Sequence, residues 1–120
     1  WLDKSSEEFR RVLEQSLAHV FPSCSEAGAA AVVETMSAGV IPVVTYEASI
    51  DVENFGFLLE DASIETIMRQ VREIAAMSVD ELRRKAKKAW EAAHNNHTPE
   101  KFARSYRATI EMILAKHGRR

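Results

Sequence analysis

The first regular pattern in the chain is a set of apolar residues that recur at helical spacing. They predict an amphipathic helix over 5–17. Ser5 and Glu8 stand at capping-box spacing, in which each side chain bonds the other residue's backbone N–H, so we expect the helix to start at Ser5. The apolar positions that define it are Phe9, Val12, Leu13 and Leu17.

Three short apolar runs follow, and each is too brief for a helix. They cover 19–22, 42–45 and 55–59, and proline or acidic residues bound them, which is typical of buried strands. Between the first two lies Ala29–Ala38, an alanine-rich segment of high helix propensity, and Gly39 stands where a left-handed C-terminal cap is expected. The middle of the chain is therefore predicted to run strand, helix, strand, strand.

The remainder of the chain is predicted to be helical. Ser63 caps a first helix, Ser78 with Glu81 opens a second that runs to about Ala93, and Thr98–Pro99 starts a third. We expect the second and third of these helices to cover the sheet. The apolar face of the first carries Ile64, Ile67, Met68, Val71, Ile74 and Ala75. The third is expected to turn inward Phe102, Tyr106, Ile110, Ile113 and Leu114.

This order of elements belongs to the α/β class. We predict a three-layer α/β/α fragment in which a short parallel sheet lies between helices and is followed by carboxy-terminal helices. Residues 1–120 are taken as a single domain. A sheet of three strands is narrow, so we expect one edge to lie open where earlier strands of a larger protein would pair.

Composition and charge narrow the class of protein. With 46% hydrophobic and 28% charged residues, the chain has the composition of an ordinary soluble globular domain. A net charge of −2 provides no strong field for nucleic acid or an anionic membrane, and no apolar run approaches the roughly 20 residues of a transmembrane helix. The lone Cys24 cannot form an internal disulfide, which favours a reducing cytoplasm. Since the chain opens on Trp1 and shows no secretion signal, we interpret it as a piece of a larger cytoplasmic protein.

The segment from Ser23 to Val44 places small and acidic residues where a strand gives way to a helix. Ligands of open α/β sheets bind at such points, because the helix amino terminus offers unpaired N–H groups to phosphate. Gly28, flanked by alanines, lets a diphosphate approach the backbone. Glu34, about two turns inside the helix, is expected to accept hydrogen bonds from the vicinal hydroxyls of a ribose, and Glu26 to reach a sugar beyond the phosphates.

The same segment resembles retaining glycosyltransferases built from two Rossmann-like lobes, in particular the carboxy-terminal, donor-binding lobe of glycosyltransferase family 4 (group 1). That lobe carries two glutamates separated by seven residues, as Glu26 and Glu34 are here. Phe-Pro-Ser precedes the first, and the run 34–44, Glu-Thr-Met-Ser-Ala-Gly-Val-Ile-Pro-Val-Val, looks like the family's Glu-Ala-Met-Ala-x-Gly-x-Pro-Val-Val. The run 55–59 matches the family's later Gly-containing strand, so the resemblance covers almost the whole chain.

The resemblance implies a role for each of these residues. In the family, the second glutamate holds the ribose hydroxyls of the donor nucleotide and the first contacts the transferred sugar, which implies a ribose-binding Glu34 and a catalytic Glu26. Backbone amides of Gly28, Ala29 and Ala30 would meet the donor phosphates. The resemblance further implies a nucleotide-diphosphate sugar as substrate, no metal or other cofactor, and a missing amino-terminal lobe that holds the acceptor. The family's basic phosphate-binding residues have no counterpart in this chain.

Two other interpretations of the segment stay open. Taken alone, the two glutamates also fit one acid near a helix amino terminus and another on a solvated face. As a function, the alternative to donor binding is a non-catalytic interaction module, which keeps the fold of the lobe and docks on a partner through the open sheet edge. A dinucleotide-binding domain is disfavoured, because no Gly-x-Gly-x-x-Gly follows a strand.

The remaining candidate chemistry has simpler explanations. His94 and His97 stand at the spacing of a metal pair, but the asparagine-rich end of a helix accounts for them. The basic run 83–88 is interpreted as a solvated helix face rather than a nucleic-acid patch, and peripheral contact with anionic lipid in the parent enzyme stays open. Cys24 is interpreted as a small packed residue, because no histidine is placed by sequence to activate it.

Overall fold

A computed structural model describes residues 3–52 and 54–117 of the chain. The interpretation of the amino terminus rests partly on residues that lie outside this description. Within the predicted domain of 1–120, the residues outside it are Trp1, Leu2, Glu53 and 118–120. None of the helices in the described ranges combines the length and the apolar composition that a bilayer crossing requires.

Within these ranges the chain forms five α-helices, three strands and one 3₁₀ turn. This confirms the mixed α/β class and the predicted order of elements. In chain order they are α1 (Glu7–Glu14), β1 (Ala18–Phe21), α2 (Ala30–Met36), β2 (Ile41–Thr45), the 3₁₀ turn (Tyr46–Ala48), β3 (Phe57–Leu59), α3 (Ile64–Ala75), α4 (Val79–Asn96) and α5 (Pro99–His117).

The three strands form one parallel sheet in the order β1-β2-β3. Val43 of the central strand pairs with Val20 on one side and with Phe57 on the other. All five residues of β2 are buried, which is what a parallel strand requires when helices cover both faces of the sheet. The predicted parallel sheet is therefore confirmed.

Adjacent valines of β2 divide the core into two clusters. Val44 packs with Met36 of α2 and Ala89 of α4 on one face of the sheet. Val43 packs on the opposite face with Leu59 of β3 and Ile74 of α3, because successive side chains of a strand point to opposite sides.

The predicted starts of α3 and α4 are confirmed and that of α1 is wrong, while α1 and α2 end earlier than predicted, at Glu14 and Met36, and α4 ends later, at Asn96. Ser63 accepts a hydrogen bond from an α3 amide, and Ser78 with Glu81 forms the predicted capping box of α4. Gly39 after α2 has the expected positive φ of 81°. The cap of α1 is Ser6 rather than Ser5, because Ser5 instead donates both its backbone N–H and its hydroxyl to the Asp3 carboxylate.

The apolar face of α3 is only partly covered. Ile74 is buried and Ile67 half-buried, whereas Ile64, Met68 and Val71 are exposed, which corrects the predicted inward face. Met68 and Val71 lie along the helix between the covered Ile67 and Ile74, so the sheet, which ends at β3, covers only a narrow stripe of α3.

The prediction that α5 covers the sheet is wrong. The helix begins as predicted, with the Thr98 hydroxyl accepting from the Lys101 amide at 3.1 Å, but none of its residues is buried. Phe102, for example, is 70% exposed. Because α2, α3 and α4 already pack on the two faces of the sheet, α5 extends away from it. The radius of gyration is accordingly 17.0 Å, against about 13.6 Å for a compact domain of 120 residues.

Candidate functional site

The loops that follow β1 and β2 meet at the carboxyl end of the sheet, because the strands are parallel and finish on the same side. Between these loops lies a cavity of about 680 Å³, which we call the strand-end cavity. Open α/β sheets bind their ligands at this carboxyl end of the strands. The residues that line the cavity are Cys24, Ser25, Glu26, Tyr46, Glu47, Ser49, Ile50, Asp51, Val52 and Leu58.

Glu26 lies in the first of these loops, and the loop is tied to the neighbouring strand. The hydroxyl of Thr45, at the end of β2, donates a hydrogen bond to the carbonyl oxygen of Ser23. Within the loop, the Ser23 hydroxyl donates to the Ser25 carbonyl at 3.1 Å, and Glu26 Oε1 accepts from the Ala27 amide at 2.9 Å. The predicted sugar-contacting carboxylate is therefore exposed at the rim of the strand-end cavity.

The second loop adds two carboxylates that the sequence analysis did not single out. Ser49 ends the 3₁₀ turn with a left-handed φ of 55°, and the chain then runs past the cavity. Glu47 and Asp51 line the cavity together with Glu26, whereas no lysine or arginine of the described ranges 3–52 and 54–117 lines it. Their position could have been predicted, because a loop after β2 must reach the same sheet edge as the loop after β1.

Glu34 lies in a different cavity. It lines a space of about 420 Å³ between α1 and α2, which we call the helix cavity and which shares no lining residue with the strand-end cavity. Its Oε2 lies 2.5 Å from the Nζ of Lys4, with 33% of the Glu34 side chain and 68% of the Lys4 side chain exposed. The structure thus separates the two glutamates that the sequence motif had grouped, and it adds Lys4 as a partner.

His19 and Thr35 form a polar pair on the wall of the helix cavity. The Thr35 hydroxyl donates its single proton to the Val32 carbonyl at 2.9 Å, so the contact of 3.0 Å between His19 Nδ1 and Thr35 Oγ1 requires a proton on Nδ1. Burial lowers the pKa of His19 below its usual range, which favours the neutral ring. Neutral His19 therefore keeps an acceptor on Nε2.

Two of the three backbone amides predicted to meet the donor phosphates already have partners within the chain. The Ala29 amide donates to the Ala48 carbonyl at 3.3 Å, and the Ala30 amide donates to the Gly28 carbonyl at 2.8 Å. Gly28 itself has a φ of 140°, with nothing within 4 Å of the position that a Cβ would occupy. Glycine at this position is therefore needed for the backbone conformation rather than for space. A phosphate could contact the Ala29 and Ala30 amides only if each gave up its present hydrogen bond within the chain.

The histidine pair lies outside both cavities, whereas Cys24 lines the strand-end cavity. Cys24 is exposed, so its interpretation as a packed residue is wrong. His94 Nδ1 donates to the carbonyl of Trp90 at 2.9 Å, and α4 ends at Asn96, as the asparagine-rich helix end predicted. Within 3–52 and 54–117, no three histidine, cysteine or acidic residues are grouped as metal ligands.

Comparisons of the chain with protein-family models, with curated proteins and with solved structures gave no match.

Proposed function

We propose that this chain binds the nucleotide-sugar donor of a retaining glycosyltransferase, as a Rossmann-like carboxy-terminal lobe of a larger cytoplasmic enzyme. The observation that carries the proposal is the position of Glu26 at the strand-end cavity, at the carboxyl edge of a parallel sheet. The resemblance of the segment 23–44 to glycosyltransferase family 4 supplies the class of ligand.

The strand-end cavity suits the sugar rather than the phosphates. Carboxylate oxygens accept hydrogen bonds from sugar hydroxyls, and Glu26, Glu47 and Asp51 all line this space. The same three charges repel a diphosphate. A volume of about 680 Å³ is within the range of roughly 300–1,000 Å³ that small-molecule sites occupy. Glu26 is accordingly assigned to the transferred sugar.

The helix cavity is assigned to the ribose. Glu34 would accept hydrogen bonds from the two vicinal hydroxyls after its carboxylate leaves Lys4. An ion pair as exposed as this one contributes at most about 1 kcal/mol, so the exchange costs little compared with two charge-assisted hydrogen bonds. The carboxylate that the family motif assigns to the nucleotide is therefore accessible to it.

The contribution of the lobe to catalysis is binding and orientation. Once the Ala29 and Ala30 amides exchange their present bonds to Ala48 and Gly28, the backbone dipoles around Gly28, Ala29 and Ala30 would spread the charge that develops on the diphosphate leaving group, while Glu26 orients the sugar. The acceptor and the basic phosphate-binding residues would come from other parts of the enzyme. This division predicts that the isolated chain binds its donor weakly.

Calorimetric titration with uridine and guanosine diphosphates and their sugar conjugates tests the proposal. We expect Glu34→Ala to weaken binding of every ligand by at least about tenfold, because hydrogen bonds to a charged group are lost. We expect Glu26→Gln to weaken only the sugar conjugates. Glu111→Ala, on the exposed α5, is the matched control and should change nothing. Equal binding by the wild type and both site variants would contradict the proposal.

An interaction module is the second candidate function. It is favoured by the position of β1 at an edge of the sheet and by the exposed apolar side chains of α5, such as Phe102 and Leu114. Sedimentation velocity at increasing protein concentration tests it. Self-association without binding of any sugar nucleotide would favour this function, whereas a monomer that binds a sugar nucleotide would exclude it.

A further inference from the structure

The basic run 83–88 divides into two sets of side chains. Arg83 and Lys87 pair along their own helix, with distances of 4.0 Å from Arg83 Nη1 to Asp80 Oδ1 and 3.8 Å from Lys87 Nζ to Glu91 Oε1. The other cations of the run are Arg84, Lys85 and Lys88, and among residues 3–52 and 54–117 none of them has a carboxylate at salt-bridge distance. One side of α4 therefore pairs its cations along the helix, whereas the cations of the other side interact with the charges of Glu73 and Glu81 only beyond salt-bridge distance.

Asn54 holds two of these cations together. Lys85 Nζ donates to the Asn54 backbone carbonyl at 3.1 Å, and Lys88 Nζ donates to the Asn54 Oδ1 at 3.1 Å. The Lys85 ammonium also lies 4.4 Å from the centre of the Phe57 ring. Partial burial, and then the charge of Lys88, lower the pKa of Lys85. Since an ammonium group has three donors, each lysine retains donors for a further ligand.

A cavity of about 200 Å³ lies against these cations and is lined by Asn54, Met77, Glu81, Arg84, Lys85 and Lys88. Among the residues that the structure describes, Glu81 is the only carboxylate of the lining, and its Oε2 already accepts from the Ser78 hydroxyl at 2.7 Å and the Ser78 amide at 3.1 Å. The cavity is smaller than the roughly 300 Å³ at which sites for drug-sized molecules begin, so it suits a compact ion. It shares no residue with the strand-end cavity or the helix cavity.

We propose that this cavity is an oxyanion site that takes a phosphate group, as inorganic phosphate or as a phosphate monoester. Lys85 and Lys88 supply point charges with donors to spare, and Arg84 supplies a planar guanidinium that matches two phosphate oxygens. A bound anion offsets the repulsion between two ammonium groups that Asn54 keeps close together.

Titration with inorganic phosphate at low ionic strength, followed by calorimetry and by the amide resonances of 54 and 85–88, tests the site. We expect saturable binding at millimolar phosphate that Lys85→Gln with Lys88→Gln weakens by at least about tenfold. Arg83→Gln with Lys87→Gln removes the same charge from the same helix and should weaken binding by less than about threefold. Equal losses in the two double variants, or no saturable binding by the wild type, would overturn the proposal.

Asn54→Asp provides a second, nearly isosteric test that does not depend on loss of the lysines. A carboxylate at this position pairs with the Lys88 ammonium, which already donates to Oδ1, and adds a negative charge beside Lys85, which donates to the backbone carbonyl. We therefore expect phosphate binding to disappear while the midpoint of thermal unfolding does not fall. Phosphate binding that persists in Asn54→Asp would overturn the assignment to Lys85 and Lys88.

Vesicles distinguish the two sources of the phosphate group. Phosphatidylcholine vesicles with and without phosphatidic acid present the same monoester as a lipid headgroup. Binding to phosphatidic acid that requires Lys85 and Lys88 assigns the site to a membrane surface, whereas binding of free phosphate alone assigns it to a small ligand. Either result supports an oxyanion site, and failure of both ligands rejects it.

Discussion

The Nζ of Lys4 lies 2.5 Å from the Oε2 of Glu34, so the carboxylate assigned to the donor ribose has a partner within the chain. The two residues come from different parts of the fold, since Lys4 precedes α1 and Glu34 lies in α2. Any ligand that binds to Glu34 must displace the Lys4 ammonium or share the carboxylate with it. Lys4 is therefore a competitor of the proposed donor.

Removing this competitor should tighten donor binding. We expect Lys4→Gln to lower the dissociation constant for uridine diphosphate by up to about fivefold, the equivalent of an exposed ion pair worth about 1 kcal/mol. The free energy of unfolding should fall by less than about 1 kcal/mol. Calorimetry and thermal unfolding measure the two effects, with Lys87→Gln as the control. Weaker binding in Lys4→Gln would instead mean that Lys4 contacts the diphosphate.

Two methionines on helices provide a test of the core. Met36 is completely buried in the cluster on Val44, whereas Met112 of α5 is 64% exposed. We expect Met36→Ala to lower the free energy of unfolding by about 2–5 kcal/mol, because it removes buried apolar surface and leaves a cavity. Met112→Ala should change it by less than about 0.5 kcal/mol. Urea denaturation measures both, and similar values would contradict the packing described for α5.

Gly56 and Gly39 should differ in their tolerance of alanine. A Cβ on Gly56 would lie 2.7 Å from the Pro42 carbonyl oxygen and 2.7 Å from the Val52 Cβ, so the backbone must shift. Around Gly39 the nearest atom is 3.8 Å away, and only its φ of 81° opposes a side chain. We expect Gly56→Ala to cost about 3 kcal/mol or more and Gly39→Ala about 1 kcal/mol in urea denaturation. A larger loss of stability in Gly39→Ala than in Gly56→Ala would show that the backbone around Pro42 shifts at little cost.

His19 should make the stability depend on pH below neutrality. Burial lowers its pKa in the folded chain below the 6.5 of an unperturbed histidine, so the unfolded chain binds this proton more strongly. The free energy of unfolding therefore decreases as the pH falls from 6.5 through the lower, folded-state pKa. Asp61 and Glu81 also have lowered pKa values, through hydrogen bonds from Ser63 and Ser78, but their contributions are lost only at more acidic pH.

Urea denaturation between about pH 5 and 7 checks this dependence, because the histidine titrates there and most carboxylates do not. We expect His19→Asn, whose side-chain amide can still donate to Thr35, to flatten the slope of stability against pH. Titration of the His19 ring protons by NMR gives the pKa directly. A value at or above that of an unperturbed histidine would contradict the neutral, Nδ1-protonated ring.

The features predicted correctly from the sequence are those that few neighbouring residues determine. The capping box of Ser78 and Glu81 depends on two side chains three residues apart, and the left-handed Gly39 depends on its own lack of a Cβ. The prediction that Ser5 caps α1 is nevertheless wrong, although it also concerns residues close in sequence. Ser5 donates to the Asp3 carboxylate, and Ser6 caps the helix instead.

The features that the sequence did not predict depend on the packing of distant segments. The seven residues between Glu26 and Glu34 cross from a loop into a helix, and their spacing does not state on which side of α2 each carboxylate lies. Likewise, the periodic apolar residues of α5 predict a helix with one apolar face, but they do not state that other helices already occupy both faces of the sheet. The spacing of apolar residues predicts that a helix forms, but it does not predict which part of the fold the helix packs against.

The absence of buried residues in α5 has a thermodynamic consequence. A 19-residue helix that buries no residue and depends mainly on its own hydrogen bonds and its cap at Thr98 is close to the helix–coil midpoint in water, whereas β2 is fixed by the core on both of its sides. Amide hydrogens of α5 should therefore exchange with solvent through local fraying, and those of β2 only through global opening. We expect the two segments to belong to separate cooperative units, so a free energy of unfolding measured in urea describes the unit around the sheet and not α5.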